Sequence, residues 1–345
     1  MMGTEVGWGP AGGRAIVVGA GLMGRHHASA IRRSGSAVVA VIDRDLDLAR
    51  SVAQRHAGAI ATNDLEEALA RTRPTIAHLC TPAQTHRALA ERLALAQLHT
   101  FIEKPFASSA METRLLLEEF SRVGKIACPV HQYAFQRSVE QAIASLPDLG
   151  SLRRIAIEIR SAGAEFNPGT GDRVAGEIAP HPLSIIQRLL PSEDVGALNW
   201  ILHRAAPGEW LANASSNGVL LSIAISMGGR PTRFTTVISG TGGTVELNNF
   251  HDYIVNQSGL VSRSAKIAQP FAYAGRTLVN ATGNLLKRAV RGESAYPGLR
   301  ALTHQFHRAA ESGVRTNAPI TPSEIVAVAT ARDALLAQCR EWSRG

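Results

Sequence analysis

The chain has 345 residues, enough at roughly 100 to 200 per domain for two domains that each bury a core, and its 45% apolar and 19% charged residues exclude disorder, collagen-like repeats and coiled coil. Lysine and arginine outnumber the acids 36 to 28, a net charge of +8, yet they are scattered, aromatic residues are only 5%, and no nucleic-acid-binding signature occurs, so nucleic acid is excluded as partner. Three cysteines, Cys80, Cys128 and Cys339, are too far apart for a disulfide framework or a zinc cluster, which fits a reducing cytoplasm.

Residues 1–13 lack a basic segment leading into an apolar run, so they read as a flexible glycine-rich tail rather than a secretory leader. No later stretch approaches the roughly 20 apolar residues of a membrane span, which excludes a membrane partner of that kind. From Arg14, short apolar runs alternate with amphipathic stretches, the pattern of a parallel sheet with crossover helices. Strands are expected at 15–18, 37–42, 60–62, 76–80, 100–102 and 126–130. Asn63 with Glu66 and Ser109 with Glu112 resemble capping boxes, while Gly35, Gly58 and Gly124 stand where helices should stop. The spacing predicts a doubly wound α/β domain over 14–128.

Over 129–345 the pattern changes to an α+β substrate and oligomerisation domain. Runs at 152–161, 198–203, 209–214, 219–227, 234–239 and 244–247 read as longer strands with few helices between them, hence a large, mostly antiparallel sheet with one covered face and one open face. From about Phe271 the chain turns helical, and 278–291 is basic and amphipathic, suited to the body of the protein or a second subunit. Thr321, Pro322 and Glu324 announce a final helix, about 322–342, that can pack back on the first domain.

Gly19-Ala20-Gly21-Leu22-Met23-Gly24 follows the first strand directly and opens a helix. The first glycine allows the tight turn, the second lets the backbone approach a pyrophosphate, and the third permits close packing of helix on strand. The helix N-terminus offers free N–H groups to the phosphates. Asp43, 19 residues beyond Gly24, ends the second strand where a carboxylate takes the adenosine ribose hydroxyls; it repels a 2′-phosphate and favours NAD, while Arg44 keeps NADP open.

Thr81-Pro82-Ala83-Gln84-Thr85-His86 and Glu103-Lys104-Pro105 follow the next two strong strands, at the edge where such sheets bind ligands. With the glycine turn, these motifs resemble the Gfo/Idh/MocA family of glucose-fructose oxidoreductase and inositol dehydrogenase. Gly240-Thr241-Gly242-Gly243-Thr244-Val245-Glu246-Leu247 resembles the glycine turn and strand of that family's second domain, and His27 matches a histidine three residues after its last fingerprint glycine. The resemblance implies that Gly19, Gly21, Leu22, Met23, Gly24, Asp43, Arg44, Thr81, Pro82, His86, Glu103 and Lys104 hold the cofactor. It also implies that Lys104 stands by the nicotinamide and the reacting oxygen, where an ammonium stabilises a developing alkoxide or exchanges a proton with it.

Gly176-Glu177-Ile178-Ala179-Pro180-His181 is similar to the family's D-x-G-x-H signature, which implies a catalytic His181 and a role for Glu177. Pro182 is expected to open a helix and set His181 at its positive end. Glu177 stands for Asp, Ala179 for Gly, and Ser184 for the Asp that follows the histidine by three. His131-Gln132-Tyr133-Ala134-Phe135 resembles the family's H-N-Y-R-F run with Gln for Asn and Ala for Arg. Gln132, Tyr133 and Asn167 are candidate substrate contacts, with burial in the sheet as the equal alternative.

No metal-ligand spacing, nucleophile elbow or P-loop lysine is present. The resemblance implies an NAD(P)-dependent oxidoreductase acting on a secondary alcohol or ketone of a sugar, polyol or cyclic natural-product intermediate. Two alternatives stay open: transient NAD-assisted oxidation enabling elimination or glycoside cleavage, and a non-enzymatic cofactor sensor. A homodimer or homotetramer through the open sheet face is expected.

Overall fold

The computed structural model describes residues 12–161, 168–260, 262–292 and 295–342. The chain divides into two units, residues 1–130 with 299–325, and residues 131–298 with 326–345. The expected tail falls almost wholly outside the described residues, as does Asn167.

In the first unit, β1 (Arg14–Val18), β2 (Ala37–Ile42), β3 (Ile60–Thr62), β4 (Ile76–Leu79), β5 (His99–Ile102) and β6 (Ala127–Pro129) form one sheet in the order β3-β2-β1-β4-β5-β6. All neighbours are parallel. A parallel sheet covered on both faces needs near-continuous apolar runs, and these strands supply them: Ile16, Val17, Ala40, Val41, Leu79 and Ile102 are at most 5% exposed or fully buried. Burying each such Ile, Val or Leu contributes about 1.5–3 kcal/mol. Between them run α1 (Leu22–Arg33), α2 (Leu46–Ala53), α3 (Leu65–Thr72), α4 (His86–Leu95) and α5 (Ala110–Arg122). Ser109 caps α5 as expected, accepting from Glu112 N at 3.1 Å. The cap of α3 is Asp64 rather than Asn63: its carboxylate accepts from Glu66 N at 2.9 Å, one residue later than the sequence pattern suggested.

The second unit holds a seven-stranded sheet, ordered β13-β12-β11-β7-β10-β9-β8. Its strands are β7 (Leu152–Arg160), β8 (Ile201–Ala206), β9 (Glu209–Ser216), β10 (Val219–Ser226), β11 (Arg233–Gly240), β12 (Gly243–Asn248) and β13 (Tyr253–Ser258). Only β7 with β10 is parallel. Side chains alternate as a half-covered sheet requires: Ile155, Ile157 and Ile159 of β7 are buried, while Arg154, Ala156, Glu158 and Arg160 face outward. The helices α6 (Arg137–Ser145), α7 (Gly171–Ile178) and α8 (Pro180–Leu189) are more numerous before β8 than the sequence suggested.

Three helices follow: α9 (Arg263–Arg291), α10 (Pro297–Ser312) and α11 (Pro322–Trp342). The α11 capping box forms, Thr321 N donating to Glu324 Oε2 at 2.7 Å and Glu324 N to Thr321 Oγ1 at 3.3 Å. No helix among the described residues is long and apolar enough to cross a membrane. Cys128 and Cys339 are buried; burial pushes the Cys128 thiol well up and takes that of Cys339 to about 12, so neither is a ready nucleophile.

Candidate active site

The glycine turn is fixed by sterics at two positions and left open at a third. Gly19 has φ +99°, and a Cβ there would stand 2.7 Å from Cys80 O, so the turn lies against the end of β4. At Gly24 a Cβ would meet Gly19 O at 1.9 Å, which only glycine avoids as α1 packs back on the turn. Among the described residues, a Cβ at Gly21 would meet no atom within 4 Å beyond its own chain neighbours. Packing within the chain therefore does not demand glycine at 21, whereas a diphosphate brought against the backbone would. Leu22 opens α1 and is 66% exposed, beside the half-exposed Met23. This cradle fits a dinucleotide.

Asp43 closes the same turn. Its Oδ2 accepts from Ala20 N at 2.6 Å and its Oδ1 from Asp45 N at 3.0 Å. A carboxylate has about four acceptor positions, so two remain for a ribose diol. Arg44 is exposed alongside.

After β4, Thr85 Oγ1 donates to Thr81 Oγ1 and Pro82 O, both at 2.7 Å. The His86 imidazole is buried, with Nδ1 2.9 Å from Pro105 O and Nε2 2.8 Å from Thr81 O. It fastens the loop after β4 to the loop after β5. Lys104 is half-buried directly after β5. Glu103 turns inward: its Oε1 accepts from His27 Nε2 at 3.0 Å and its Oε2 from Lys104 N at 3.1 Å. Burial pushes the Glu103 carboxyl up, but the His27 hydrogen bond and the Lys104 charge outweigh it and hold the group below the usual carboxylate range.

The second unit gathers a different set. His181 lies in the first turn of α8, which starts at Pro180, two residues ahead of the expected Pro182. The His181 ring meets Tyr133 edge-on at 4.7 Å, and Tyr133 meets Phe234 at 4.7 Å. Burial, then Tyr296, pushes the Tyr133 hydroxyl up to about 12, so it remains a neutral donor. Gln132 is buried, its Oε1 without a hydrogen-bond partner among the described residues. Glu177 pairs with Arg173 one turn back on α7, Oε1 to Nη1 at 2.7 Å. Ala179 has helical angles, φ −49° and ψ −34°, so no glycine is needed there. The Ser184 hydroxyl donates to His181 O at 2.9 Å and serves its own helix. The sequence missed the neighbouring polar cluster: Gln136 Nε2 donates to Asn249 O at 2.7 Å and Thr236 Oγ1 to Asn249 Oδ1 at 2.9 Å, all buried. Among the described residues no group of three or more side chains is placed to hold a metal ion.

Comparison with known proteins adds to this geometry. Residues 14–131 match the profile of the GFO_IDH_MocA oxidoreductase family, NAD-binding Rossmann fold. An inositol 2-dehydrogenase of Rhizobium meliloti is 35% identical over 106 residues, 30% of this chain and 32% of the relative. The chain spans about a third to a half of the length of the curated relatives it matches. An inositol dehydrogenase homolog from Azotobacter vinelandii, complexed with NAD+, shares the fold at TM-score 0.72 and 18% identity, over 96% of each chain. A 3-ketoreductase from Actinomadura kijaniata, in complex with TDP-benzene and NADP, does so at TM-score 0.70 and 15% identity, over 94% of this chain and 97% of that one. The similarity to this family thus lies in residues 14–131, over its NAD-binding Rossmann fold.

Proposed function

We propose that the protein is an NAD-dependent oxidoreductase that moves a hydride between the nicotinamide and a secondary alcohol or ketone of a sugar, polyol or cyclic natural-product intermediate. The observation that carries this reading is the glycine at 21, whose missing Cβ serves no packing need among the described residues, in line with Asp43 and Lys104 on one sheet edge. When bound, the cofactor supplies the hydride acceptor, a task no side chain can perform. Gly21, Met23 and the start of α1 would hold its diphosphate, and Asp43 its adenosine ribose.

Lys104 places an ammonium by the reacting oxygen, stabilising negative charge there and exchanging the proton that accompanies hydride movement. His181 is the second proton-handling group, held by Tyr133, with Glu177 as an outlying carboxylate. Gln132 and Tyr133 offer polar atoms to substrate hydroxyls. A panel of secondary alcohols with NAD, read at the absorbance of NADH, tests the reading. Formation of NADH with one of them supports it; product formation without net NADH and with solvent deuterium incorporated would replace it by transient oxidation. Kinetic comparison of the cofactors is expected to give NAD a KM at least about tenfold below that of NADP, and Asp43→Ser to narrow that gap, because the carboxylate repels a 2′-phosphate. Activity with NADPH alone would overturn the role given to Asp43.

The assembly proposed is a homodimer or homotetramer through the open face of the second sheet. Supporting it, Ile201, Leu211 and Leu220 stand 42–53% exposed on that face, and Ile267, Phe271, Leu278, Leu285, Leu286 and Val290 of α9 are each at least 62% exposed. Light scattering is expected to give a mass two or four times 36.7 kDa. Ala224→Arg, which sets a charge in the middle of the open face, should reduce it; a wild-type monomer would contradict the assembly.

A further inference from the structure

Three buried imidazoles thread the first unit from one edge of its sheet to the other. His27 stands in α1, His78 in β4 and His307 in α10, all fully buried. His27 Nε2 is 3.0 Å from Glu103 Oε1 and His27 Nδ1 is 2.8 Å from His78 Nδ1. His78 Nε2 is 2.8 Å from His307 Nε2, and His307 Nδ1 is 2.7 Å from Ser36 Oγ. Every ring nitrogen therefore faces one partner. Glu103 follows β5 at the carboxyl edge, beside Lys104, whereas Ser36 precedes β2 at the opposite edge. There, the position a Cβ would take at Gly13 is 3.4 Å from Ser36 Oγ and 3.5 Å from Oε1 of Glu311, an exposed residue.

The hydrogen count allows two complete arrangements. With one proton per ring and Glu103 ionised, the carboxylate only accepts, so His27 Nε2 must donate to it. His27 Nδ1 then accepts from His78 Nδ1, His78 Nε2 accepts from His307 Nε2, and His307 Nδ1 accepts from the Ser36 hydroxyl. One extra proton on the Glu103–His27 pair reverses every donor along the line. Burial, then the neighbouring His27 and His307, holds His78 well below the usual histidine range, and burial, then His304 and His27, takes His307 down to about 3. Both stay neutral, as a ring that accepts on one side and donates on the other must. Phe101 and Phe306 stack at 5.0 Å around the line, with Phe101 5.1 Å from His78, so the rings sit in an apolar sleeve.

We propose that this line conducts protons between Ser36 and the Glu103–His27 pair, and so reloads or drains the proton that Lys104 exchanges; this use rests on the oxidoreductase reading above. In one inward passage the Ser36 O–H bond breaks and its proton forms the His307 Nδ1–H bond, Ser36 Oγ taking a replacement proton from solvent water at that edge, while His307 Nε2–H breaks and its proton joins His78 Nε2. The His78 Nδ1–H bond then breaks in favour of His27 Nδ1, and the His27 Nε2 proton passes to Glu103 Oε1. One proton enters, one emerges at Glu103, and no electron count changes. The outward passage is the reverse.

The test reads exchange with deuterium oxide at the ring N–H groups of His27 and His78 by NMR on 15N-labelled full-length protein, comparing wild type with His307→Phe and Ser36→Ala. Conduction predicts exchange at least about tenfold slower in both variants, because the route from the Ser36 edge is cut. A purely structural cluster exchanges by local opening, which neither variant hinders; unchanged or faster exchange would overturn the proposal. Should His307→Phe fail to fold, Ser36→Ala, which removes one hydroxyl, decides alone. The experiment needs neither cofactor nor substrate, so its failure leaves the oxidoreductase reading standing, and absence of NAD turnover leaves the conduction result standing.

Discussion

Replacing Lys104 by methionine is expected to lower kcat by roughly 10²- to 10⁴-fold, the range that proton transfer and charge stabilisation at a reacting oxygen supply, while the Kd for NAD changes by less than about threefold. Methionine keeps the length and apolar stem of lysine but carries neither charge nor exchangeable proton. The backbone at this position is held independently of the side chain, through Lys104 N on Glu103 and the His86 imidazole on Pro105 O. Stability and cofactor binding should therefore survive. Lys104→Arg is the informative partner: arginine restores a charge but does not surrender a proton near neutral pH, so it should recover substrate affinity more than turnover. Turnover of Lys104→Met within tenfold of wild type would remove the residue from the chemistry.

The glycine turn gives the second large effect, and the two substitutions that reveal it should diverge in stability. Gly24→Ala sets a methyl 1.9 Å from Gly19 O and 2.9 Å from Gly19 C. Both are backbone atoms, so α1 must move off the turn, at about 3 kcal/mol or more. That should lower the thermal midpoint by several degrees at least. At Gly21 the backbone is extended with φ −65°, and among the described residues the added methyl meets no atom within 4 Å beyond its own chain neighbours. Gly21→Ala should therefore leave the thermal midpoint of the free protein within about 2 °C of wild type. Equal destabilisation by both would show that position 21 is constrained by the fold itself.

Much of the first unit was legible because parallel strands buried on both faces must be continuous apolar runs, and punctuating glycines mark the helix ends. Gly35, Gly58 and Gly124 do take positive φ, of 90°, 78° and 70°. Where two neighbours can perform the same task, the sequence does not choose between them: Asn63 and Asp64 both cap well, and Pro180 and Pro182 both open helices. The strand β13, Tyr253–Ser258, escaped because an edge strand with Asn256 and Gln257 lacks a clean apolar alternation. The motif residues Gly19, Gly24, Asp43 and Glu103 could be found locally. His78 and His307 could not, since a lone histidine in an apolar run reads as core and its partners lie 51 and 229 positions away. Of the line, only His27 carried a signal, through its spacing from Gly24.

The second unit was less legible at its site than in its sheet. Alternation in β7 and β12 is local and visible, whereas the approach of Tyr133 to His181 and of Gln136 to Asn249 depends on how α6, α8 and the sheet pack. The substitutions at 177, 179 and 184 have local accounts instead: an ion pair with Arg173, a helical backbone, and a hydroxyl bonded to its own helix.

Calorimetric titration of NAD into wild type and Gly21→Ala shows whether the glycine turn holds a diphosphate. One cofactor should bind per wild-type chain, with an affinity lower by about 10²-fold or more in the variant, equivalent to about 2.7 kcal/mol, because its methyl occupies the approach of the diphosphate. No heat with either NAD or NADP, or equal affinity in the two proteins, would contradict it.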